Sequence, residues 1–141
     1  MKRSEAVTYI EGVNARVGGS TFRLPTGAEW ARAAQYAWQR AGRRALLQSE
    51  NTSDSFFCPG GSPRVVSVRA STLSHEVPRH LFGNVAEWVS DTPFPGAGVV
   101  FGLDRSSGCQ LLTYRATSYS VVIGEDWSNS FIGFRVAADL P

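Results

Sequence analysis

Hydrophobic positions in the first third of the chain recur at steps of three and four residues, the spacing of one helix face. A first helix is predicted over residues 4–17, with apolar positions at Ala6, Tyr9, Ile10, Val13 and Val17. A second is predicted over residues 28–47, with Trp30, Ala34, Ala37, Trp38 and Ala41 on one face. Thr26 and Glu29 are spaced as a capping box, in which hydroxyl and carboxylate exchange hydrogen bonds with main-chain N–H groups.

The pattern changes after Gln48, where the helical spacing disappears and glycine and proline become frequent. These residues predict long surface loops. Residues 64–68 are predicted to form a short strand, and residues 85–89 form a short apolar element. Residues 111–136 are predicted to form short strands separated by loops. Two helices followed by loops and short strands are typical of an α+β domain.

Composition narrows the class of protein. The 141 residues fit a single domain, and 43% hydrophobic against 18% charged residues exclude a disordered chain. The net charge of +2 is too small and too scattered to predict a nucleic-acid or acidic membrane partner. No apolar run approaches the ~20 residues of a membrane span, and no signal peptide is visible. We therefore expect a cytoplasmic protein, or part of a phage particle or larger surface protein.

Cysteine and histidine offer weak metal-site candidates. Cys58 and Cys109 are the only cysteines, and two free thiols are favoured over one disulfide. His75 and His80 superficially resemble a zinc-binding helix motif. However, Arg79 occupies the position four residues after His75, and proline at 78 would break a helix. We therefore predict no metal on the histidines.

Three segments, residues 22–30, 83–91 and 132–137, resemble the formylglycine-generating-enzyme (sulfatase-modifying factor) family. They occur in the family's order, and the resemblance extends over about residues 5–137. It implies a C-type-lectin-like α+β fold with two helices, a small twisted antiparallel sheet and long ordered loops. Residues 1–141 are expected to form one such domain, trimmed of the family's additional N-terminal strands.

Four residues of these motifs have structural roles that follow from their chemistry. Trp30 and Trp88 are expected to anchor the core, since tryptophan buries a large apolar area. Arg23 and Arg135 are expected to pair with carboxylates or carbonyls, with Glu29 and Glu87 as candidate partners.

Enzymes of this family oxidise a substrate cysteine with copper and oxygen, and hold the copper with two cysteines five residues apart. Cys109 lies in the corresponding region, but five residues on stands Tyr114. Because Cu(I) prefers soft thiolate ligands, we predict no enzymatic activity. A related branch uses iron held by histidines that lie partly in another domain. A metal-dependent oxidase of the family remains one alternative function.

The resemblance also implies a calcium site near the second motif, whose ligands would correspond to His80, Gly83, Val85 and Glu87. Calcium requires hard oxygen ligands, which His80 does not supply. We therefore expect no cofactor, and keep calcium on Gly83, Val85 and Glu87 as the alternative. Without calcium, Glu87 would accept hydrogen bonds from Arg135 or from main-chain N–H groups.

Another branch of the family, the variable proteins of diversity-generating retroelements, displays a hypervariable surface just before the terminal Gly-Phe-Arg motif. In this chain an apolar and aromatic mixture at residues 118–131 replaces the family's usual polar string. Only Glu125 and Trp127 lie outside the residues that adenine-directed variation of an Asn-type codon can reach. We therefore predict a non-catalytic ligand-binding protein, phage or prokaryotic, with a protein or other macromolecule as its partner.

The predicted ligand-binding residues combine rigid aromatic groups with adaptable polar ones. They are Tyr119, Val121, Ile123, Trp127, Ser128, Asn129, Ser130, Phe131, Tyr114, Leu112, Gln110, Phe101, Leu103 and Asp104. The aromatic residues Tyr119, Trp127 and Phe131 are expected to be exposed, whereas residues 121–123 fit a buried core strand equally well. A structural module of a phage or surface assembly is a further alternative, and the oligomeric state stays open.

Overall fold

The computed structural model describes residues 1–17, 21–41, 78, 81, 84–102 and 118–139. Within them the order of elements is α1 Arg3–Val17, β1 Thr21–Arg23, α2 Gly27–Ala41, β2 Ala86–Trp88, β3 Ala97–Phe101, β4 Ser120–Gly124, β5 Ile132–Phe134 and β6 Ala137–Asp139. This arrangement confirms the predicted α+β class. The strand predicted at 64–68, both cysteines and both histidines lie outside the described residues.

The described strands form two small sheets. Strands β1 and β6 pair antiparallel, with Phe22 opposite Ala138. The other sheet has the order β4-β3-β2-β5. Its first two strand pairs are antiparallel, as expected, but β2 and β5 are parallel. The parallel pair joins residues 86–88 to residues 132–134, which are far apart in sequence and need no hairpin turn.

Helix α2 begins as its capping box predicts. The Thr26 hydroxyl accepts from the Glu29 N–H at 3.2 Å, and the Glu29 carboxylate accepts from the Thr26 N–H at 2.8 Å. Its buried face includes Trp30, Ala34 and Ala37, as predicted. The structure describes this helix as far as Ala41; residues 42–47 lie outside the described part.

Helix α1 buries a narrower stripe than its pattern predicts. Ala6 and Ile10 are buried, but Tyr9 is 61% and Val17 is 54% exposed, so the prediction was wrong for these two residues. Ala6 and Ile10 lie on one line along the helix and pack into the core. Tyr9 lies beside that line, where its ring meets the edge of Phe134 at a centroid distance of 5.6 Å.

Strand β2 lies between two groups of buried side chains. Trp88 and Ala86 pack with Ile10, Leu24, Val100 and Ile132, among others. Val89 packs with Trp30 and the alanines of α2. This division follows from the alternation of side chains along an extended chain. Trp30 is 1% and Trp88 is 0% exposed, which confirms both as core anchors.

No helix in the described part of the chain has the length and hydrophobicity needed to cross a membrane.

Candidate ligand-binding surface

One buried carboxylate joins the three sequence motifs. Glu87, in β2, is 5% exposed. Its Oε2 accepts from the indole Nε1 of Trp30 at 2.7 Å and from Nε of Arg135, and its Oε1 accepts from Arg135 Nη2 at 2.7 Å. The predicted pairing of Arg135 with Glu87 is therefore confirmed. The contact fixes the chain just beyond β5 against the core.

Of the candidate calcium ligands, Glu87 and Val85 lie in the described part of the structure. The carboxylate of Glu87 already faces the positive guanidinium of Arg135, so a calcium ion would have to displace it or lie beside a like charge. Val85 is half-buried. The residue before it, Asn84, is buried and has a φ of 70°, a conformation that asparagine adopts more readily than most residues. Gly83 and His80 lie outside the described residues.

The side chain of Arg23 connects the three elements β1, α2 and β6. Its guanidinium donates two bonds to Glu29, at 2.7 and 2.8 Å, and a further bond to Asp139 at 2.8 Å. The expected pairing with Glu29 is confirmed. Hydrogen bonds from Arg23, and then from the Thr26 main chain, lower the pKa of Glu29 from 4.5 to about 2. The hydrogen bonds of Arg23 to Glu29, and then to Asp139, raise the pKa of Arg23.

Strand β4 carries the apolar part of the candidate surface. It pairs with β3 along its whole length, from Phe101 opposite Ser120 to Ala97 opposite Gly124. Val121 is 38% and Val122 is 50% exposed, whereas Ile123 packs against the Trp88 group. Successive side chains point to opposite faces of a sheet, so both faces of β4 meet solvent at this point. The strand is thus partly buried at Ile123 and exposed at the two valines.

The loop after β4 carries the remaining candidates. Trp127 is 52% exposed, as expected. Its main-chain N–H donates to the carbonyl of Gly124 at 2.9 Å. Ser128 and Ser130 are exposed. Asn129 instead uses its side-chain oxygen to accept from the N–H of Phe131 at 2.8 Å. The loop is therefore held by its own bonds while its serines and indole remain accessible.

Three other predicted contact residues are less exposed than Trp127, and the expectation that Tyr119 and Phe131 are exposed was wrong. Tyr119 and Phe131 are half-buried, and the carbonyl of Phe131 accepts from the N–H of Ala86 at 2.8 Å. Phe101 is half-buried with its ring 5.4 Å from that of Trp30, which directs much of it toward the core. Other candidates fall outside the described residues: Leu103, Asp104, Gln110, Leu112 and Tyr114.

The first residues of the chain, which the sequence analysis did not single out, support this loop. The main-chain nitrogens of Met1 and Arg3 each donate at 3.1 Å, to the carbonyls of Asn129 and Glu125 respectively. The indole of Trp88 donates to the Met1 carbonyl at 3.0 Å. We call residues 1–3 and these contacts the N-terminal clasp. In the sequence, only the opposite charges at residues 2–3 and 125–126 could have indicated these contacts.

A sequence model of the sulfatase-modifying factor enzyme 1-like domain matches residues 2–140. The chain belongs to this family. The match covers nearly the whole chain and confirms, at this level, the resemblance to formylglycine-generating enzymes. No curated protein sequence matches the chain.

Two solved structures share the fold of this sulfatase-modifying factor enzyme 1-like domain. PvdO from Pseudomonas aeruginosa matches with a TM-score of 0.76 at 15% identity, over 99% of this chain and 60% of PvdO. CarF matches with a TM-score of 0.64 at 17% identity, over 96% of this chain and 65% of CarF. The chain thus spans less than two thirds of either protein. At these low identities, the two matches show a shared fold and nothing more. The C-type-lectin-like fold class is confirmed.

Proposed function

We propose that this domain is a non-catalytic ligand-binding protein, a variable protein of a diversity-generating retroelement, and that its ligand is a protein. The observation that carries the proposal is the exposure of Val121, Val122 and Trp127 in the segment directly before the terminal motif. Apolar and aromatic groups grouped on a surface and accompanied by polar ones are typical of interaction sites.

The composition of the surface supports a protein ligand. Trp127 offers a large, rigid contact area, while Ser128 and Ser130 beside it offer hydrogen bonds that adapt to different partners. The neighbouring charges of Lys2 and Arg3 lie close to those of Glu125 and Asp126, so positive and negative charges balance there. A balanced surface favours a protein over nucleic acid, which requires an excess of positive charge.

The scaffold supports a role in which surface residues change while the fold persists. Among the described residues, the exposed Val121 and Val122 belong to neither buried group, whereas the partly buried Ile123 packs against one of them. The main chain of β4 is held by pairing with β3, which any residue except proline can maintain. Substitution at the valines or serines therefore leaves the backbone contacts that define the surface in place.

The copper chemistry of the family's oxidases is not matched by the residues at the corresponding positions. Cys109 supplies one thiolate, but a phenol oxygen at Tyr114 is a harder ligand than the second thiolate that Cu(I) prefers. Both residues lie outside the described part of the structure.

The retroelement part of the proposal is tested in the source genome. We expect a near-copy of the region encoding residues 98–134, differing from it at adenines, beside a gene for a reverse transcriptase. A complete genome without such a template would contradict this part of the proposal.

The absence of catalysis is tested on the purified domain. The domain is supplied with Cu(I) and a cysteine-containing peptide, and oxygen consumption is followed beside a Cys109→Ser variant and a copper-only control. We expect the same rate in all three. Sustained turnover by the unmodified domain, lost in the variant, would establish an oxidase instead.

A further inference from the structure

We propose that Arg3 is a positioning residue of the ligand-binding surface. It holds the loop of residues 125–131, and with it Trp127, in the orientation that a ligand meets. The inference rests on the proposed function for the meaning of the surface, but the geometry that it concerns is independent of any ligand.

The Arg3 side chain bridges segments that follow two different strands. Its Nη2 donates to the carbonyl of Ser90 at 2.8 Å, and its Nε to that of Val89 at 3.5 Å, both just after β2. Its Nη1 lies 3.9 Å from the carboxylate of Glu125, just after β4. The rigid, planar guanidinium presents several donors in fixed directions, so one side chain contacts both segments.

The bridge passes over the strand between them. A Cβ added to Gly98, in β3, would lie 3.0 Å from Cδ of Arg3. The absence of a side chain at Gly98 therefore gives the aliphatic part of Arg3 the room to cross the sheet. This packing explains why only 19% of the Arg3 side chain is exposed, although its partner Glu125 is 42% exposed.

Main-chain bonds extend this support to Trp127. The N–H of Arg3 bonds the carbonyl of Glu125 at 3.1 Å, and the N–H of Glu125 bonds the carbonyl of Gly96 at 3.1 Å. Trp127 follows two residues later. Fixing Glu125 through both its main chain and its side chain therefore limits the orientations open to the indole. A surface ordered before binding loses less entropy when a ligand arrives.

Lys2 provides a matched control on the same clasp. Its ammonium lies 3.7 Å from the carboxylate of Asp126, and the two side chains are 45% and 88% exposed. Exposed pairs of this kind contribute little, because solvent screens them and the side chains must be ordered. Removing the charge of Lys2 therefore tests the effect of charge alone near the loop.

The experiment compares the unmodified domain with Arg3→Met, Arg3→Lys and Lys2→Met. Methionine keeps the aliphatic chain over Gly98 and removes all donors. Amide hydrogen exchange is measured by NMR, and the four tryptophans are labelled with fluorine, the Trp127 signal being assigned with Trp127→Phe. In Arg3→Met we expect exchange at Glu125 and Trp127 to be about tenfold faster. The fluorine signal of Trp127 should move, while that of Trp30, which belongs to the other buried group, stays in place.

The pattern across variants separates positioning from general stability. Arg3→Lys should recover part of the protection, and Lys2→Met should leave exchange unchanged. Unaltered exchange at residues 125–127 in Arg3→Met would overturn the inference, as would acceleration of equal size throughout β2. Should Arg3→Met not fold, Arg3→Lys decides by the same two criteria. The measurement requires no ligand, so its failure differs from the failure of the proposed function, which the genomic template decides.

Discussion

Trp30 donates its indole N–H to the carboxylate of Glu87 at 2.7 Å. This bond joins the start of α2 to the middle of β2, and Arg135 completes the set from the segment after β5. The three stretches of sequence that resemble the family therefore meet at one carboxylate. Because that carboxylate is buried, each of its partners compensates for its removal from water.

Replacing Glu87 should destabilise the domain strongly. Glu87→Gln removes the negative charge that faces the guanidinium of Arg135 in a partly buried position, and we expect a loss of about 3 kcal/mol in the free energy of unfolding. Asp126→Asn, which removes an exposed carboxylate, should cost no more than ~0.5 kcal/mol. Urea unfolding measures both, and equal stability of the two variants would contradict the structural role of Glu87.

Calcium should not stabilise the domain. The Glu87 carboxylate already accepts hydrogen bonds from Trp30 and Arg135, so a calcium ion would have to compete with these donors for it. A ligand that binds only the folded state raises the melting temperature. We therefore expect the same melting temperature in millimolar calcium chloride as in a chelator. An increase that disappears in Glu87→Gln would show that the alternative calcium site exists.

Replacement by alanine should lower the stability of the domain at one of two glycines on neighbouring strands and not at the other. A Cβ at Gly98 would lie 2.7 Å from Cζ3 of Trp88, whereas nothing lies within 4 Å of a Cβ at Gly124. We expect Gly98→Ala to lose about 1–3 kcal/mol through overpacking. Gly124→Ala should lose nothing, since alanine also restricts the unfolded chain. Thermal or urea unfolding compares the two, and a larger loss at Gly124 would contradict the packing described.

Acid should weaken the contact between Arg23 and Glu29. The folded-state pKa of Glu29, about 2, lies below its ordinary value of 4.5. The contact therefore contributes stability above that ordinary value, and this contribution is lost as the pH falls from 4.5 toward 2. Both side chains are more than a third exposed, so salt should reduce the effect.

The measurement is the pH dependence of the free energy of unfolding. Glu29→Gln should flatten the curve between the two pKa values, whereas Glu11→Gln, at an exposed position of α1, should leave its slope unchanged. An identical slope in the unmodified domain and Glu29→Gln would show that the contact does not form in solution.

Features set by local chemistry were predictable from the sequence. The capping box of Thr26 and Glu29 depends on a spacing of three residues, which the sequence displays directly. The burial of Trp30 and Trp88 follows from their size. The pairing of Arg135 with Glu87 was predictable because a charge among apolar residues requires a partner.

Features set by distant packing were not predictable. Tyr9 and Val17 fit the apolar face of α1, but the width of that face depends on what the helix meets. Phe101 lies in a stretch with no clear pattern, and its contact with Trp30 depends on how β3 crosses α2. The N-terminal clasp joins residues that are far apart in the sequence, such as Arg3 and Glu125. The spacing of hydrophobic residues cannot predict a contact over that distance.

The most direct test of the proposed variable surface is the natural sequence variation of this gene. The coding region is sequenced deeply from a population of the source, and changes are assigned to codons. We predict amino-acid changes concentrated at exposed positions such as Val121, Val122 and Ser128, with Trp30, Glu87, Trp88 and Arg135 unchanged. Changes that are absent, or spread evenly over exposed residues of the whole domain, would contradict a hypervariable ligand-binding surface.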